Sequence, residues 1–478
     1  MSTAGRRLGS TVFALAAAIA LLSNCSAKVA GTASPLGQLD PGSAGGMPVT
    51  TGASGPRPGV PDARLPVANT DNGEMDRLAV NTIADVDDYW ADQLPTVFGR
   101  KFVPVAKLTS YDSDGANLKV CAGHENTAGF INAFYCDVDN SVSWDRGELL
   151  PTLVQNFGPL AVTMVLAHEM GHAIQTQLGP LSGVNNATPS IVLEQQADCY
   201  AGSFMRSVAE GKAKHFQMST GDGLNKVLAT TFFVRDQPGH SFTGQGAHGN
   251  AFDRVFAFQT GFTDGPQRCA RIDVNEINSR ITETAFRNGE DAGQNGNVAI
   301  TVANLQTVAK ALNDVFRPTT PPKLVTALAK CADAKTTSPT AYCPATDTVS
   351  MDVAKLKEIG TPTRKGGGIG DFAAFGEVAS RYVLSVQKAA GLPLDDADTG
   401  LRTACLVGHW GAAMTTQTDH LSLSAGDLDE AVAELLTSTS LIAADVDGKP
   451  AASGFARVEA FRIGFLQGAS TCTEQFGN

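Results

Sequence analysis

The distribution of apolar and polar residues divides the chain into three parts. Residues 11–22 form an apolar run dominated by Ala and Leu, which is too short for an ordinary transmembrane helix. Residues 28–72 are rich in Gly, Ser, Pro, Thr and Ala and have no helical or strand periodicity, so we expect them to bury no core. Residues 74–478 have a globular composition and are long enough for two domains.

Two helices are predicted within the globular part. The first covers residues 159–177, where apolar residues are dense, a proline suits the first turn and a Gly-Pro pair follows the last. The second begins at Pro189 and continues beyond Ala201. Short strands are expected around residues 121–136, so the predicted fold class is α+β.

The first residues are typical of a bacterial export signal. Arg6 and Arg7 place positive charge before the apolar run, so we predict a signal peptide over residues 1–24. The Leu-Ser-Asn-Cys sequence at its end resembles a lipobox, in which the cysteine, here Cys25, becomes the lipidated first residue of the mature protein. Asn24 departs from the usual small residue at that position, and the alternative is simple secretion with a free Cys25.

These features predict an exported protein that is anchored by lipid to the outer face of the bacterial cytoplasmic membrane. Residues 25–75 would comprise the lipidated cysteine and a disordered tether. The formal net charge is −12, and no basic patch offsets it, so nucleic acid is excluded as the main partner.

Eight cysteines remain when Cys25 is set aside. An even number of cysteines in an exported chain indicates disulfides. Spacing alone does not choose among the many pairings that eight cysteines allow.

Short stretches recur in the same order in two parts of the chain, which indicates a tandem duplication. The matched stretches include Phe134-Tyr135-Cys136 with Tyr342-Cys343, Cys199-x-x-Gly202 with Cys405-x-x-Gly408, and residues 254–269 with 457–472. We predict copies over residues 76–285 and 296–478. The repeat suggests the pairs Cys121–Cys136, Cys199–Cys269, Cys331–Cys343 and Cys405–Cys472.

The first predicted helix contains the sequence His168-Glu169-Met170-Gly171-His172. A spacing of four residues puts both imidazoles on one helix face, where both can reach a single ion. Zinc suits imidazole and carboxylate ligands in tetrahedral geometry. Glu169, beside the first ligand, is placed to act as a general base on water.

The second predicted helix supplies two carboxylates, Glu194 and Asp198, one turn apart on a shared face. A catalytic zinc needs a third protein ligand and an open position, and Glu194 can be that ligand. Asp198 can accept a hydrogen bond from the far ring nitrogen of His168 or His172 and fix its orientation.

Together, the sequences HEMGH and LEQQADCYAG resemble the bacterial neutral zinc metallopeptidases, a group similar to glutamate-zincins such as thermolysin. The resemblance covers about residues 80–270. It implies a mainly helical zincin-like domain in which His168, His172 and Glu194 bind one Zn²⁺ and Glu169 activates water. The family's usual Ser before His-Gly is Ala247 here, and an expected Trp near Phe256 is absent. The resemblance therefore does not assign the residues of the substrate groove.

The second copy lacks every one of these chemical groups while it keeps the Cys, Gly and apolar framework. Alignment of Phe157 with Phe375, which we expect to open matching helices, and of the cysteines gives the replacements Val386 for His168, Gln387 for Glu169, Ala390 for His172, Gly400 for Glu194, Ala404 for Asp198 and Ala451 for His248. The loss of His248 together with the ligands suggests a catalytic role for it, as a hydrogen-bond donor to the oxyanion.

The sequence therefore predicts a zinc-dependent endopeptidase with one zinc per chain, in the first copy only, that acts on peptides or proteins outside the cytoplasmic membrane. The alternative is a non-catalytic envelope lipoprotein in which zinc is structural and the two copies form a binding scaffold. The role of the second copy stays open between binding substrate, binding a protein partner and covering the first copy.

Overall fold

The computed structural model describes residues 39–241, 243–244, 246–282, 285–286, 296–362, 368–416 and 422–477. The predicted signal peptide and Cys25 lie outside these residues. We refer to residues 39–286 as the N-terminal half and to residues 296–477 as the C-terminal half. No helix within the described ranges is long and apolar enough to cross a membrane.

The N-terminal half combines helices with short strands. Its strands are β1 (Ser43–Ala44), β2 (Met47–Pro48), β3 (Gly55–Pro56), β4 (Val67–Ala68), β5 (Lys107–Tyr111), β6 (Lys119–Val120), β7 (Glu125–Asn126), β8 (Ala133–Cys136), β9 (Ser141–Asp145) and β10 (Phe216–Gln217). Its helices are α1 (Glu74–Phe98), α2 (Leu149–Phe157), α3 (Pro159–Leu178), α4 (Ser190–Ala209), α5 (Asp222–Phe233), α6 (Ala251–Asp264), α7 (Pro266–Cys269) and α8 (Val274–Arg280).

The C-terminal half has a similar order of elements. Its strands are β11 (Lys323–Val325), β12 (Thr340–Cys343) and β13 (Thr348–Met351). Its helices are α9 (Val302–Phe316), α10 (Val353–Ile359), α11 (Asp371–Ala389), α12 (Thr399–Met414), α13 (Asp427–Leu435), α14 (Gly454–Gln467) and α15 (Ala469–Phe476). This mixture of helices and small sheets confirms the predicted α+β class.

The main sheet of the N-terminal half has the strand order β4-β5-β9-β8, with β4, β5 and β9 parallel and β8 antiparallel at the edge. Tyr135 of β8 pairs with Val142 of β9. A three-stranded sheet of order β11-β13-β12 in the C-terminal half repeats the parallel and antiparallel pairs. In the N-terminal half β8 contacts α3 and β9 contacts α2, and in the C-terminal half β12 and β13 contact α11.

One hydrophobic core runs through both halves. It includes the fully buried side chains of Trp90 and Trp144 in the N-terminal half and of Trp410 in the C-terminal half. The helices α5 and α6 contact α13 and α14 across the boundary. The halves therefore pack against each other through their helices.

The prediction of a disordered tether is wrong for residues 39–75. Ala44 is fully buried, and β3 pairs with β10. The Arg57 Nε donates to the carbonyls of Phe216 at 2.8 Å and Ala213 at 3.1 Å. Backbone pairs and polar side chains hold this segment, and neither kind of contact leaves a periodic apolar pattern in the sequence.

The structure contains the four disulfides that the repeat suggested, Cys121–Cys136, Cys199–Cys269, Cys331–Cys343 and Cys405–Cys472. The expectation that Phe157 and Phe375 open matching helices is wrong. Phe157 ends α2, whereas Phe375 lies in the second turn of α11, which begins at Asp371. The two phenylalanine-glycine pairs therefore occupy different positions relative to the helices α3 and α11. A match of two residues is too short to align two helices reliably.

Candidate metal centre

Helix α3 presents the two predicted imidazoles to one side. The rings of His168 and His172 lie 4.9 Å apart between centroids and are nearly perpendicular. The helix is buried along most of its length, and Gly171 faces α4. A Cβ at this position would lie 3.0 Å from the Ala197 Cα, so the glycine permits a close approach of the two helices.

Glu194 of α4 meets both imidazoles. Its Oε2 lies 3.1 Å from the His168 Nε2, and its Oε1 lies 3.5 Å from the His172 Nε2. One ligand atom from each of the three residues falls within 4.8 Å of the others. Two imidazole nitrogens and one carboxylate fit the ligand set of a catalytic zinc, which takes three protein ligands and keeps a fourth position for water.

The opposite nitrogen of each imidazole is also held. His168 donates from Nδ1 to the Asp198 Oδ1 at 2.8 Å, and His172 donates from Nδ1 to the Gln175 Oε1 at 3.0 Å. These bonds turn both Nε2 atoms toward Glu194. Asp198 thus takes the predicted place beside His168. It orients this ligand without binding the metal itself, as such partners of metal-binding histidines usually do.

Two functional contacts were missed from the sequence. Gln175 is buried, and its Nε2 donates to the Leu193 carbonyl at 2.7 Å, so its own amide is oriented. Arg254 of α6 binds the two oxygens of Asp198 at 2.8 and 2.9 Å. The spacing of three residues from His172 could have indicated Gln175, but no local signal brings Arg254 to α4.

The charges of this cluster favour a cation. Burial opposes protonation of His168, but the carboxylates of Asp198 and Glu194 outweigh it and raise the pKa of His168 to about 10. Burial is likewise outweighed at His172, where Glu194 raises the pKa. The two histidines, in turn, hold the pKa of Glu194 well below its usual range despite its burial.

Glu169 and His248 lie on an adjacent cleft of about 450 Å³. The Glu169 Oε2 accepts a hydrogen bond from the Tyr135 backbone N–H at 3.0 Å. His248 is half exposed, and its Nδ1 lies 3.3 Å from the Asp236 Oδ1. His248 therefore lines the same cleft as His168 and Glu169, although it contacts Asp236 and not the metal ligands.

Apolar side chains line another part of this cleft, namely Ile131, Ala133, Leu149, Met164, Val165 and Phe233. A larger cavity of about 570 Å³ lies between α1, α4 and α6, and its lining includes none of the predicted ligands. We assign the chemistry to the smaller cleft because it alone of the two is lined by one of the three predicted ligands, His168, together with Glu169 and His248.

Two other clusters among the described residues have potential ligand atoms. Cys121, Cys136 and Asp139 form one of them, but its sulfurs are joined in a disulfide. Asp371, Asp427 and Glu430 form the other, in the C-terminal half. The latter contains only carboxylates, whereas zinc sites in proteins usually include imidazole or thiolate.

Comparison with known proteins supports the same chemistry for the N-terminal half. Residues 44–272 match the family model described as "Putative neutral zinc metallopeptidase". The chain is 32% identical over 168 residues to uncharacterized proteins Mb2605 of Mycobacterium bovis and Rv2575 of Mycobacterium tuberculosis. It is 28% identical over 206 residues to uncharacterized protein YpfJ of Escherichia coli.

These similarities cover only part of each chain. The mycobacterial alignments span 31% of this chain and 57% of the relatives, and the YpfJ alignment spans 39% and 68%. No solved structure gives a significant match. The family match covers α1 to α7 and ends before α8, so it includes every predicted ligand and leaves the C-terminal half outside.

We predict that Gln175→Leu lowers zinc affinity by about ten- to a hundred-fold, because contacts that orient metal ligands typically contribute that much. Competition with a fluorescent zinc chelator measures the affinity. Gln177→Leu is the matched control on the same helix, since the Gln177 Oε1 accepts from the Val103 N–H and not from a histidine. Equal zinc affinity in the two variants would contradict the assigned role.

Zinc binding should release protons at neutral pH. Because the pKa of His168 is raised to about 10, the metal-free site retains a proton on this imidazole at neutral pH. Zinc must displace that proton, so the apparent affinity for zinc must rise with pH. Calorimetry in two buffers of different ionisation enthalpy measures the release. Asp198→Asn removes a charge that raises the His168 pKa and should reduce the number released. A pH-independent affinity would argue against this ligand set.

Proposed function

We propose that this chain is a zinc-dependent endopeptidase that hydrolyses peptide bonds outside the cytoplasmic membrane. The observation that carries the proposal is the convergence of His168, His172 and Glu194 on one point, with His168 and Glu169 lining an open cleft. A purely structural zinc site needs neither an open cleft nor a carboxylate next to its ligands. The family match over this half supports the same chemistry.

Zinc, when bound, supplies Lewis acidity that polarises the scissile carbonyl and activates water. Glu169 then takes a proton from the attacking water and returns it to the amine that leaves, so one water and one peptide bond give a carboxylate and an amine. The Tyr135 N–H bond to one Glu169 oxygen fixes the direction of this carboxylate.

His248 is proposed to stabilise the negative charge that develops on the carbonyl oxygen. Asp236 accepts hydrogen bonds from the backbone N–H of His248 at 2.7 Å and of Gly249 at 2.9 Å. The imidazole Nδ1 faces Asp236, so a protonated ring, whose charge the Asp236 carboxylate would balance, would donate from Nδ1 to Asp236 and from Nε2 to the oxyanion. A donor of this kind contributes to rate only where charge develops in the transition state.

A peptide or protein is the proposed substrate, because the cleft is bordered by a strand edge. β8 ends the main sheet and is paired on one side only, and its Ala133 lines the cleft. An extended peptide can add to such an edge through backbone hydrogen bonds. Leu149 and the exposed side chains of Ile131 and Phe233 offer an apolar surface for a side chain next to the bond that is cut.

The proposed location follows from the N-terminal sequence and the disulfides. Four disulfides fit an oxidising compartment outside the cytoplasm. Lipidation at Cys25 would anchor the protein to the outer face of the membrane. The scaffold alternative differs in one respect that an experiment can test, because a scaffold has no need of Glu169 as a base.

The variant Glu169→Gln should retain zinc and lose peptide hydrolysis by a factor of about a hundred or more, since it removes the general base but no ligand. Turnover of casein or a quenched fluorescent peptide library measures the loss, with zinc content determined on the same samples. The exposed Glu148, changed to Gln, is the control and should be as active as the unchanged protein. Equal activity of the Glu169 variant would rule out the catalytic assignment.

A further inference from the structure

The C-terminal half reaches the cleft through one buried carboxylate. Asp429 of α13 is almost completely buried, and its Oδ2 forms an ion pair with the Arg235 Nε at 2.9 Å. Arg235 belongs to the other half and lines the cleft beside His168 and Glu169. We call this cleft of about 450 Å³ the metal cleft. The ion pair between Asp429 and Arg235 therefore joins the C-terminal half to the wall of the metal cleft.

The second oxygen of Asp429 holds the start of α6. Asp429 Oδ1 accepts from the Phe252 backbone N–H at 3.2 Å. Backbone N–H groups in the first turn of a helix have no partner within the helix, and a carboxylate there also interacts favourably with the helix dipole. Asp429 thus binds the cleft wall and the N-terminus of α6 at the same time.

Helix α6 continues the connection to the metal ligands. Arg254, two residues beyond Phe252, binds Asp198, which holds His168. Arg254 also donates from Nη1 to the Val234 carbonyl at 2.7 Å, next to Arg235 in the chain. A displacement of the first turn of α6 would therefore reach both the cleft wall and the residue that orients His168.

Arg235 is itself fixed in direction by three contacts. Its Nε faces Asp429, its Nη1 donates to the Phe232 carbonyl, and its Cζ lies 3.7 Å from the centre of the Phe232 ring. Its side chain is 18% exposed, and it brings a positive charge to the lining of the cleft. Without Asp429, the contacts that Arg235 would keep among the described residues are those with Phe232.

We propose that Asp429 is a positioning residue for the metal cleft, so that the C-terminal half sets the arrangement of the wall that receives the peptide. This inference rests on the proposed function. It gives the C-terminal half a role within the site, in place of binding a separate partner or merely covering the N-terminal half. Asp429 acts through Arg235 and α6 and contacts no reacting atom.

The test compares Asp429→Asn with Glu430→Gln in the full mature chain. Glu430 is the next residue of α13 and is equally well buried, but it accepts from the Phe372 N–H within its own half. Both changes keep the side-chain shape and remove one carboxylate. Hydrogen exchange, zinc content, kcat and KM for a peptide, and the affinity of a peptide hydroxamate are measured for each protein.

Asp429→Asn should retain zinc, accelerate exchange in peptides covering residues 232–241 and 251–255, and raise KM and the hydroxamate Kd about ten- to a hundred-fold with a smaller change in kcat. Glu430→Gln should change none of these. In combination with Arg235→Met, the Asp429 change should add little to KM, to the hydroxamate Kd and to exchange over residues 232–241, because both variants break the same ion pair. This double variant separates loss of the pair from general destabilisation.

Unchanged exchange in both segments would overturn the inference, as would faster exchange with unchanged KM and hydroxamate affinity. Full additivity of the Asp429 and Arg235 changes in KM and in the hydroxamate Kd would also overturn it. If the unchanged protein hydrolyses no peptide but Asp429→Asn still accelerates exchange and weakens hydroxamate binding, the proposed function fails and the positioning role of Asp429 stands.

Discussion

The close approach of α3, α4 and α6 is the constraint on which the site depends. A Cβ at Gly171 would lie 3.1 Å from the Ala197 carbonyl oxygen, and a Cβ at Gly261 would lie 1.7 Å from that of Cys199. Side chains at these positions would force the helices apart. The Cys199–Cys269 disulfide joins α4 to the end of the α6 and α7 segment. At this separation Glu194 reaches both imidazoles, and Arg254 reaches Asp198.

The sequence predicted the parts of this site that depend on local spacing. Two histidines four residues apart, and Glu194 one turn before Asp198, define their positions because helix geometry is regular. The sequence did not predict that Arg254 binds Asp198 or that residues 39–75 pack against the fold. Each of these features depends on contacts with distant parts of the chain. Backbone pairing of β3 with β10 leaves no trace in hydrophobic periodicity.

The C-terminal half repeats the helix packing without the ligands, which supports the proposed duplication. A Cβ at Gly464 would lie 1.7 Å from the Cys405 carbonyl oxygen, as at Gly261. Counting from the first residues of α3 and α11 gives Ser380, Arg381 and Leu384 as the counterparts of His168, Glu169 and His172. The Arg381 guanidinium donates to the carbonyls of Leu441, Ala444 and Asp445. The position that corresponds to Glu169 therefore makes backbone contacts in the C-terminal half.

Elemental mass spectrometry of the chain from residue 26 onward, after metal loading and desalting, tests the central claim most directly. The account predicts one zinc per chain in the unchanged protein and in the exposed control Glu125→Ala, and loss of that zinc in Glu194→Ala. Retention of zinc in Glu194→Ala, or its absence from the unchanged protein, would contradict the ligand assignment. Two zinc ions per chain would contradict a single site in the N-terminal half.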